Sequence, residues 1–165
     1  MKEFIEKISS YNLFNNLLPG ILFAIIAKQT TKYDLIQSDI LLGLFLYYFI
    51  GLIISRFGSL VFENILIKLK FVNYANYKDF VQTQKEDSKI DSLLESNNMF
   101  RTLSAMGFLL LFLKLYEYIS IRLQIDDNIT CISFVILIMT LFLFSYRKQT
   151  SYIRKRVEIH TKNKS

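Results

Sequence analysis

The sequence has few of the residues that interrupt helices or cross-link a soluble protein. Its 165 residues include one proline, five glycines, one cysteine, one histidine and no tryptophan. With so few helix breakers, long helices are expected. The lone Cys131 excludes an intramolecular disulfide, and the lone His160 leaves no zinc site and no Ser-His or Cys-His nucleophile to assemble. No glycine-rich phosphate loop occurs, so we expect no enzymatic activity, no cofactor and no metal.

Apolar residues are abundant and lie in four runs. The chain is 52% hydrophobic and 15% aromatic, which is more apolar than is usual for a soluble domain of this length. The runs predict membrane spans at about 12–28, 40–56, 102–120 and 129–146. The predicted fold is therefore all-α: a single integral membrane domain, residues 1–165, forming a four-helix bundle whose helices extend into the cytoplasm.

The first run is the least regular of the four. Pro19 and Gly20 interrupt it and predict a helix that is kinked or restarted near the proline. A cleaved signal peptide is the alternative interpretation. Acidic residues beside the lysines at the N-terminus, the Pro-Gly pair and the lack of a small-residue cleavage site argue against it.

Charge is distributed unevenly along the chain. The formal net charge is +6, and the basic tail, 147–165, holds seven basic residues against one acidic residue. The segment 56–101 also holds seven basic residues, whereas the connections 28–39 and 121–128 hold two and one. Short basic segments stay in the cytoplasm. The chain is therefore predicted to lie in a bacterial inner membrane, with both termini, the excursion 57–101 and the tail in the cytoplasm.

The longest predicted helix covers residues 40–70 and carries small residues on one face. Four-residue spacing keeps side chains on the same helical face, and small residues there let helix backbones approach closely in lipid. One interpretation is an oligomer axis, and the other is packing of this helix on its neighbours within the chain. The small residues are Gly43, Gly51, Ser55 and Ser59.

Two charged residues, Lys114 and Glu117, lie within the third apolar run. Their i,i+3 spacing predicts a pair on one helix face. An intramembrane charge is a functional candidate because it is costly to leave in lipid. One interpretation is therefore a polar lining for a pore or proton path. The other is an interfacial belt with Tyr116 and Tyr118, in which Lys114 reaches outward.

Further charged residues are candidates for a cytoplasmic partner or lipid surface. Glu63 and Lys68 lie on the polar half of the long helix, where the alternative is a solvated or salt-bridged face. A basic tail cluster can attract anionic lipid or an acidic partner, but it is also the positive-inside signal itself. No aromatic residues alternate with the basic ones, so no direct nucleic-acid binding is expected. The cluster consists of Arg154, Lys155 and Arg156.

Two patterns predict helix outside the spans. A tyrosine, a threonine, an isoleucine and a valine follow one another at 4-3-4 spacing in the tail. This heptad-like spacing indicates that the last helix continues and packs against another surface. Before the third span, a capping pattern at Ser88 predicts a short amphipathic helix, which Asn97 and Asn98 are expected to end. The tail positions, here called the tail stripe, are Tyr146, Thr150, Ile153 and Val157.

The stretch YNLFNNLLPGILF, residues 11–23, carries a Tyr-Asn pair, further asparagines and a Leu-x-Pro-Gly run at the entrance to the first predicted span. With the four-span plan, it resembles small membrane proteins of bacterial anti-phage defence loci, such as the membrane subunit of the Kiwa system. The resemblance implies a homo-oligomer, with a tetramer favoured, that senses membrane perturbation and docks a soluble DNA-binding effector. No functional residue is carried over, because no further motif matches.

The sequence thus favours one function and leaves one alternative open. The favoured function is an oligomeric membrane sensor or scaffold that recruits or controls a soluble cytoplasmic protein, with anti-phage defence as the implied setting. Very short external loops leave function to the bilayer and the cytoplasmic side. The alternative is a pore-forming or membrane-disrupting effector, which would use Lys114, Glu117 or the small-residue face to line a path.

Overall fold

The computed structural model describes residues 10–162, and this part of the chain is all-helical with no strand. The end of the basic tail, 163–165, lies outside the described residues. The helices are α1 (Ser10–Thr30), α2 (Ile40–Phe57), α3 (Glu63–Lys68), α4 (Tyr77–Glu86), α5 (Lys89–Leu123) and α6 (Asp127–Lys162).

Within residues 10–162, three helical stretches are long and apolar enough to cross a membrane: Ile40–Lys68, Lys89–Leu123 and Asp127–Thr161. The prediction of a multipass membrane protein is confirmed to the extent that these three helices could each cross a membrane. The remaining predicted span, 12–28, lies within α1, whose 21 residues would extend about 31 Å. The four-span bundle stays a prediction.

The predicted helix over 40–70 is present, with one irregular turn. Asp39 begins it as an N-cap, because its side-chain oxygen accepts a hydrogen bond from the Leu42 N–H at 2.8 Å. At Gly58–Phe62 the chain forms a π-helical turn, here called the π turn. There the Glu63 N–H donates to the Gly58 carbonyl, five residues back rather than four. Helix then continues directly into α3.

Helices α1 and α2 pack with their backbones in contact at two glycines. A Cβ atom on Gly51 would overlap the carbonyl oxygen of Asn16, and one on Gly20 would overlap that of Tyr47. Only glycine permits this approach. Helix α1 continues without a break through Pro19, which is fully buried. The expected restart at the proline therefore does not occur, and the kink stays a prediction.

Helices α5 and α6 extend well beyond the predicted spans. The expected break at Asn97 and Asn98 is wrong, since α5 runs through both. Asparagine costs a helix interior only about 0.7 kcal/mol relative to alanine, which is too little by itself to end a helix. At 35 and 36 residues, α5 and α6 each extend more than about 50 Å, against a hydrocarbon layer of about 30 Å.

The two ends of the bundle differ in character. The end that holds α3, α4, the beginning of α5 and the last third of α6 is called here the polar end. The other end, called the loop end, holds only the connections 31–39 and 124–126.

Candidate functional site

A part-buried ion pair joins α3 to α5 where the polar end begins. The Arg101 Nη1 donates to Glu63 Oε2 at 2.7 Å. The two side chains are only 19% and 13% exposed, so this pair is shielded from solvent far more than a surface salt bridge. Glu63 therefore connects two elements that lie 38 residues apart in the sequence.

Lys148 brings α6 to the same point. Its Nζ lies 3.9 Å from Glu63 Oε1 and donates to both the carbonyl and the hydroxyl oxygen of Ser59, at 2.7 and 2.8 Å. The backbone of the π turn and a carboxylate thus share one ammonium group. Since α2–α3, α5 and α6 each supply a charged residue here, the site ties three helices together.

The π turn positions these groups. A π turn shifts the hydrogen-bond register and leaves backbone carbonyls open to other donors. Side chains bind two carbonyls of this turn: Lys148 binds that of Ser59, and Asn64 Nδ2 binds that of Leu60 at 2.6 Å. The extra residue in the turn also changes the direction of Glu63 by about 100° relative to a regular α-helix, which directs it toward Arg101.

Arg56 adds a third cation to the site. It lies half-buried one turn before Ser59 and within electrostatic range of both Arg101 and Lys148. Among residues 10–162, no hydrogen bond or ion pair engages its guanidinium group. The charged cluster, defined as Arg56, Glu63, Arg101 and Lys148, therefore holds three positive charges and one negative charge.

The polar end continues as a packed unit beyond the charged cluster. Tyr152 lies next to Lys148, with its ring 5.8 Å from the ammonium, and stacks on Tyr77 of α4 at a centroid distance of 5.8 Å. Gln84 of α4 accepts a hydrogen bond from Arg156 at 3.4 Å and donates one to Asp91 of α5 at 2.7 Å. Helix α4 is thereby held between α5 and α6.

A second carboxylate, Glu117, organises the loop end. It is 7% exposed and forms with Lys114 the i,i+3 pair that the spacing predicts, at 2.6 Å. Its other oxygen accepts the backbone N–H of Lys32 at 2.5 Å, which fastens the α1–α2 connection to α5. Tyr116 reaches Thr130 of α6 through a 2.7 Å hydroxyl contact. This geometry anchors a loop at the helix end.

An exposed pair also stabilises the α1–α2 connection. Asp34 bonds to Lys28 at 2.9 Å, and this hydrogen bond is the main reason that the pKa of the Asp34 carboxyl lies below its ordinary value. Because the folded pKa is the lower one, the contribution of the pair is present above about pH 4 and is lost as the pH falls through the folded pKa. It is small, since both side chains are exposed.

The small-residue face of α2 lies mostly inside the chain. Gly51 and Ser55 are buried, and Gly51 contacts α1 directly. Ser59 binds Lys148 of α6. The nearest atoms to a Cβ on Gly43 belong to Tyr47 and Gln37 of its own helix and loop. The face therefore packs within the chain, and its use as an oligomer axis stays a prediction.

The remaining predicted surface residues lie on the exposed outside of the polar end. Lys68 and Lys155 are exposed. Arg154 forms an exposed i,i+4 pair with Glu158 at 3.5 Å. Arg156 contacts Gln84 and lines a groove between α4 and α6. None of them joins the charged cluster.

Glu63 and Ser59 are recognisable from the sequence, but their partners are not. Arg56 marks the exit of the second predicted span, where its side chain is expected to reach toward the lipid headgroups, whereas Arg101 and Lys148 stand out only as part of the positive charge of their segments. Their positions nevertheless offer a way to predict that they meet, because each cation lies within three residues of the predicted cytoplasmic boundary of an apolar run. Three adjacent spans that begin or end at one depth bring such residues together.

Comparisons with protein-family models, curated proteins and solved structures give no match to this chain. The resemblance of residues 11–23 to small anti-phage defence membrane proteins accordingly stays a prediction.

Proposed function

We propose that this chain is a membrane-embedded sensor or scaffold that recruits or controls a soluble cytoplasmic protein, and that it acts as a homo-oligomer, for which a tetramer is favoured. In this proposal the polar end faces the cytoplasm of a bacterial cell. Anti-phage defence is the setting that the N-terminal resemblance suggests.

The observation that carries the proposal is the connection between the long helices and the polar end. Helices α5 and α6 exceed the hydrocarbon thickness by more than about 20 Å, and the charged cluster joins them to the π turn of the long helix. A shift of one helix within the bilayer would therefore move the packed unit around α4. In this way a movement of a helix in the lipid would be transmitted to a bound soluble partner.

The tail stripe is the surface best placed for such a partner. Tyr146, Ile153 and Val157 are 75%, 58% and 59% exposed, although the helix that carries them continues as the spacing predicts. An apolar stripe of this kind on a helix outside the bilayer favours a protein contact. Arg154, Lys155 and Arg156, which lie on the same exposed part of this helix, would favour an acidic partner or the lipid surface.

Co-purification from native cells tests the proposal. The tagged full-length chain is extracted in mild detergent, sized, and examined by mass spectrometry. We expect an oligomer with a soluble protein bound in stable proportion. Ile153→Asp combined with Val157→Asp should release that protein, whereas the matched control Leu123→Asp, an exposed position at the loop end, should retain it. A lone monomer without a bound protein would contradict the proposal.

The alternative, a pore-forming or membrane-disrupting effector, has a distinct signature. Expression alone would collapse the membrane potential, and Lys114→Leu or Glu117→Leu would abolish the effect. The position of Glu117 argues against this function, because it lies about 9 Å from the end of α5 and is already bonded to Lys114 and Lys32.

A further inference from the structure

The charged cluster has an excess of positive charge that the described chain does not balance. Glu63 is the carboxylate that Arg101 and Lys148 contact. Arg56 lies one helical turn before Ser59, which Lys148 binds, and it has no ion-pair partner among residues 10–162. Half-buried cations of one sign repel one another more strongly than they would in water. A bound anion would remove this repulsion.

The depth of the cluster indicates where such an anion would come from. Arg101 lies about 22 residues before the loop end of α5, and Lys148 about 21 residues after the loop end of α6. Both distances correspond to about 32 Å of helix, close to the thickness of the hydrocarbon layer. Arg101 and Lys148 therefore lie at the level of lipid phosphates when the loop end is at the opposite surface. Arg56 lies about 24 Å from the start of α2, and its long side chain can extend toward the same level.

The surroundings fit a lipid rather than a soluble anion. None of the apolar window of α6 is buried within the chain, and Phe144, one turn before Lys148, is 54% exposed. An acyl chain can lie along this apolar surface while its phosphate reaches the cations. Basic sites between helices at the membrane surface are typical binding places for anionic headgroups.

We propose that Arg56, Arg101 and Lys148 form a site for the phosphate of an anionic phospholipid in the leaflet at the polar end. The negative phosphate compensates the positive charge that Glu63 does not balance. Arg56, which is otherwise unpaired within residues 10–162, is the main ligand of the phosphate. The site is separate from the basic tail cluster, and the proposal does not depend on a soluble partner.

Thermal unfolding with defined lipids tests the site. The purified full-length protein is titrated in detergent micelles with phosphatidylglycerol or phosphatidylcholine, and circular dichroism follows unfolding. We expect phosphatidylglycerol to raise the unfolding temperature and phosphatidylcholine to have little effect. Inorganic phosphate at equal concentration should not reproduce the shift. If the two lipids act equally, or if free phosphate suffices, the proposal is wrong.

Two variants locate the binding residue. Arg56→Gln should weaken phosphatidylglycerol binding about fivefold, the effect of one basic residue near an anionic surface. Arg147→Gln removes the same charge next to Lys148 but on an exposed position and should leave binding within about twofold. Equal loss in both variants would indicate diffuse attraction and overturn the site.

Folding and partner binding are monitored separately. Arg56→Gln should keep the wild-type elution volume and helicity, because the chain offers Arg56 no ion-pair partner within residues 10–162. Native mass spectrometry of the wild-type protein provides a measurement independent of any variant and should show retained anionic lipid. If Arg56→Gln instead releases a co-purifying soluble protein and leaves lipid binding unchanged, the cluster is a protein site and the lipid proposal fails.

Discussion

Single residues determine how closely the helices approach and what holds them. Gly51 allows α2 to contact the backbone of α1 at Asn16, while a Cβ on Gly107 of α5 would have no atom within 4 Å. Glu63 contacts two cations from distant segments, whereas Glu158 contacts one cation on its own helix surface. Residues of the same type therefore differ greatly in what their replacement would do.

Gly51→Ala should destabilise the protein, and Gly107→Ala should not. The new methyl group at position 51 would overlap a backbone carbonyl, so α1 and α2 must separate, at a cost of about 2 kcal/mol. At position 107 the methyl group enters open space, and the better helix propensity of alanine should add about 0.5–1 kcal/mol. Unfolding temperatures in detergent, followed by circular dichroism, should differ clearly between the variants. Equal temperatures would contradict the backbone contact.

Glu63→Gln should lower stability far more than Glu158→Gln. Glutamine at position 63 leaves Arg101 and Lys148 half-buried without their carboxylate, which costs about 2–3 kcal/mol in a partly shielded site. The Glu158 pair is exposed and contributes less than about 0.5 kcal/mol. Chemical unfolding of the two variants in micelles measures both effects. Similar losses would mean that the cluster is solvated in the protein.

At the scale of the element, the π turn determines what the long helix presents at the polar end. Without its extra residue, Glu63 would point about 100° away from its present partner. Gly58 begins the turn and lets α5 approach closely, since a Cβ there would lie 3.2 Å from that of Ala105. The irregular turn and the ion pair are thus two parts of one packing arrangement.

A designed disulfide tests this arrangement. In a Cys131→Ser background, Gly58→Cys with Ala105→Cys should oxidise readily, because their Cβ separation is near the range of about 3.5–4.5 Å in native disulfides. Gly58→Cys with Ser104→Cys is the control, since Ser104 lies on the exposed side of α5. After proteolytic cleavage of the chain between the two cysteines, gel mobility shows whether a disulfide still joins the two fragments. Efficient bonding in the control pair instead would place α5 in a different rotation.

At the scale of the whole molecule, polar groups collect at the two ends and apolar side chains cover the sides. In the most apolar stretch of α5, 22% of the residues are buried within the chain, and in that of α6 none are. A single chain therefore presents broad apolar surfaces, which suit lipid or a second copy. The orientation of the two ends follows, as a prediction, from the positive charge of the segments 56–101 and 147–165.

Cysteine labelling tests that orientation. In the Cys131→Ser background, Ser38→Cys and Asn128→Cys at the loop end should react with an impermeant maleimide in right-side-out membrane vesicles. Ser88→Cys at the polar end should react only after permeabilisation. All three positions are exposed, so differences report the side of the membrane. The reverse pattern would place the polar end outside and contradict a cytoplasmic partner.

Local patterns in the sequence determined what depends on near neighbours: the long helix, the pairing of Lys114 with Glu117, and the continuation of the tail helix. These follow from side-chain spacing, which acts within a few residues. The contacts of Gly51 with Asn16 and of Glu63 with Arg101 and Lys148 were decided only by tertiary structure. These contacts depend on how the helices cross and on the rotation that the π turn introduces into the long helix. The spacing of residues along the sequence predicts neither the crossing nor the rotation.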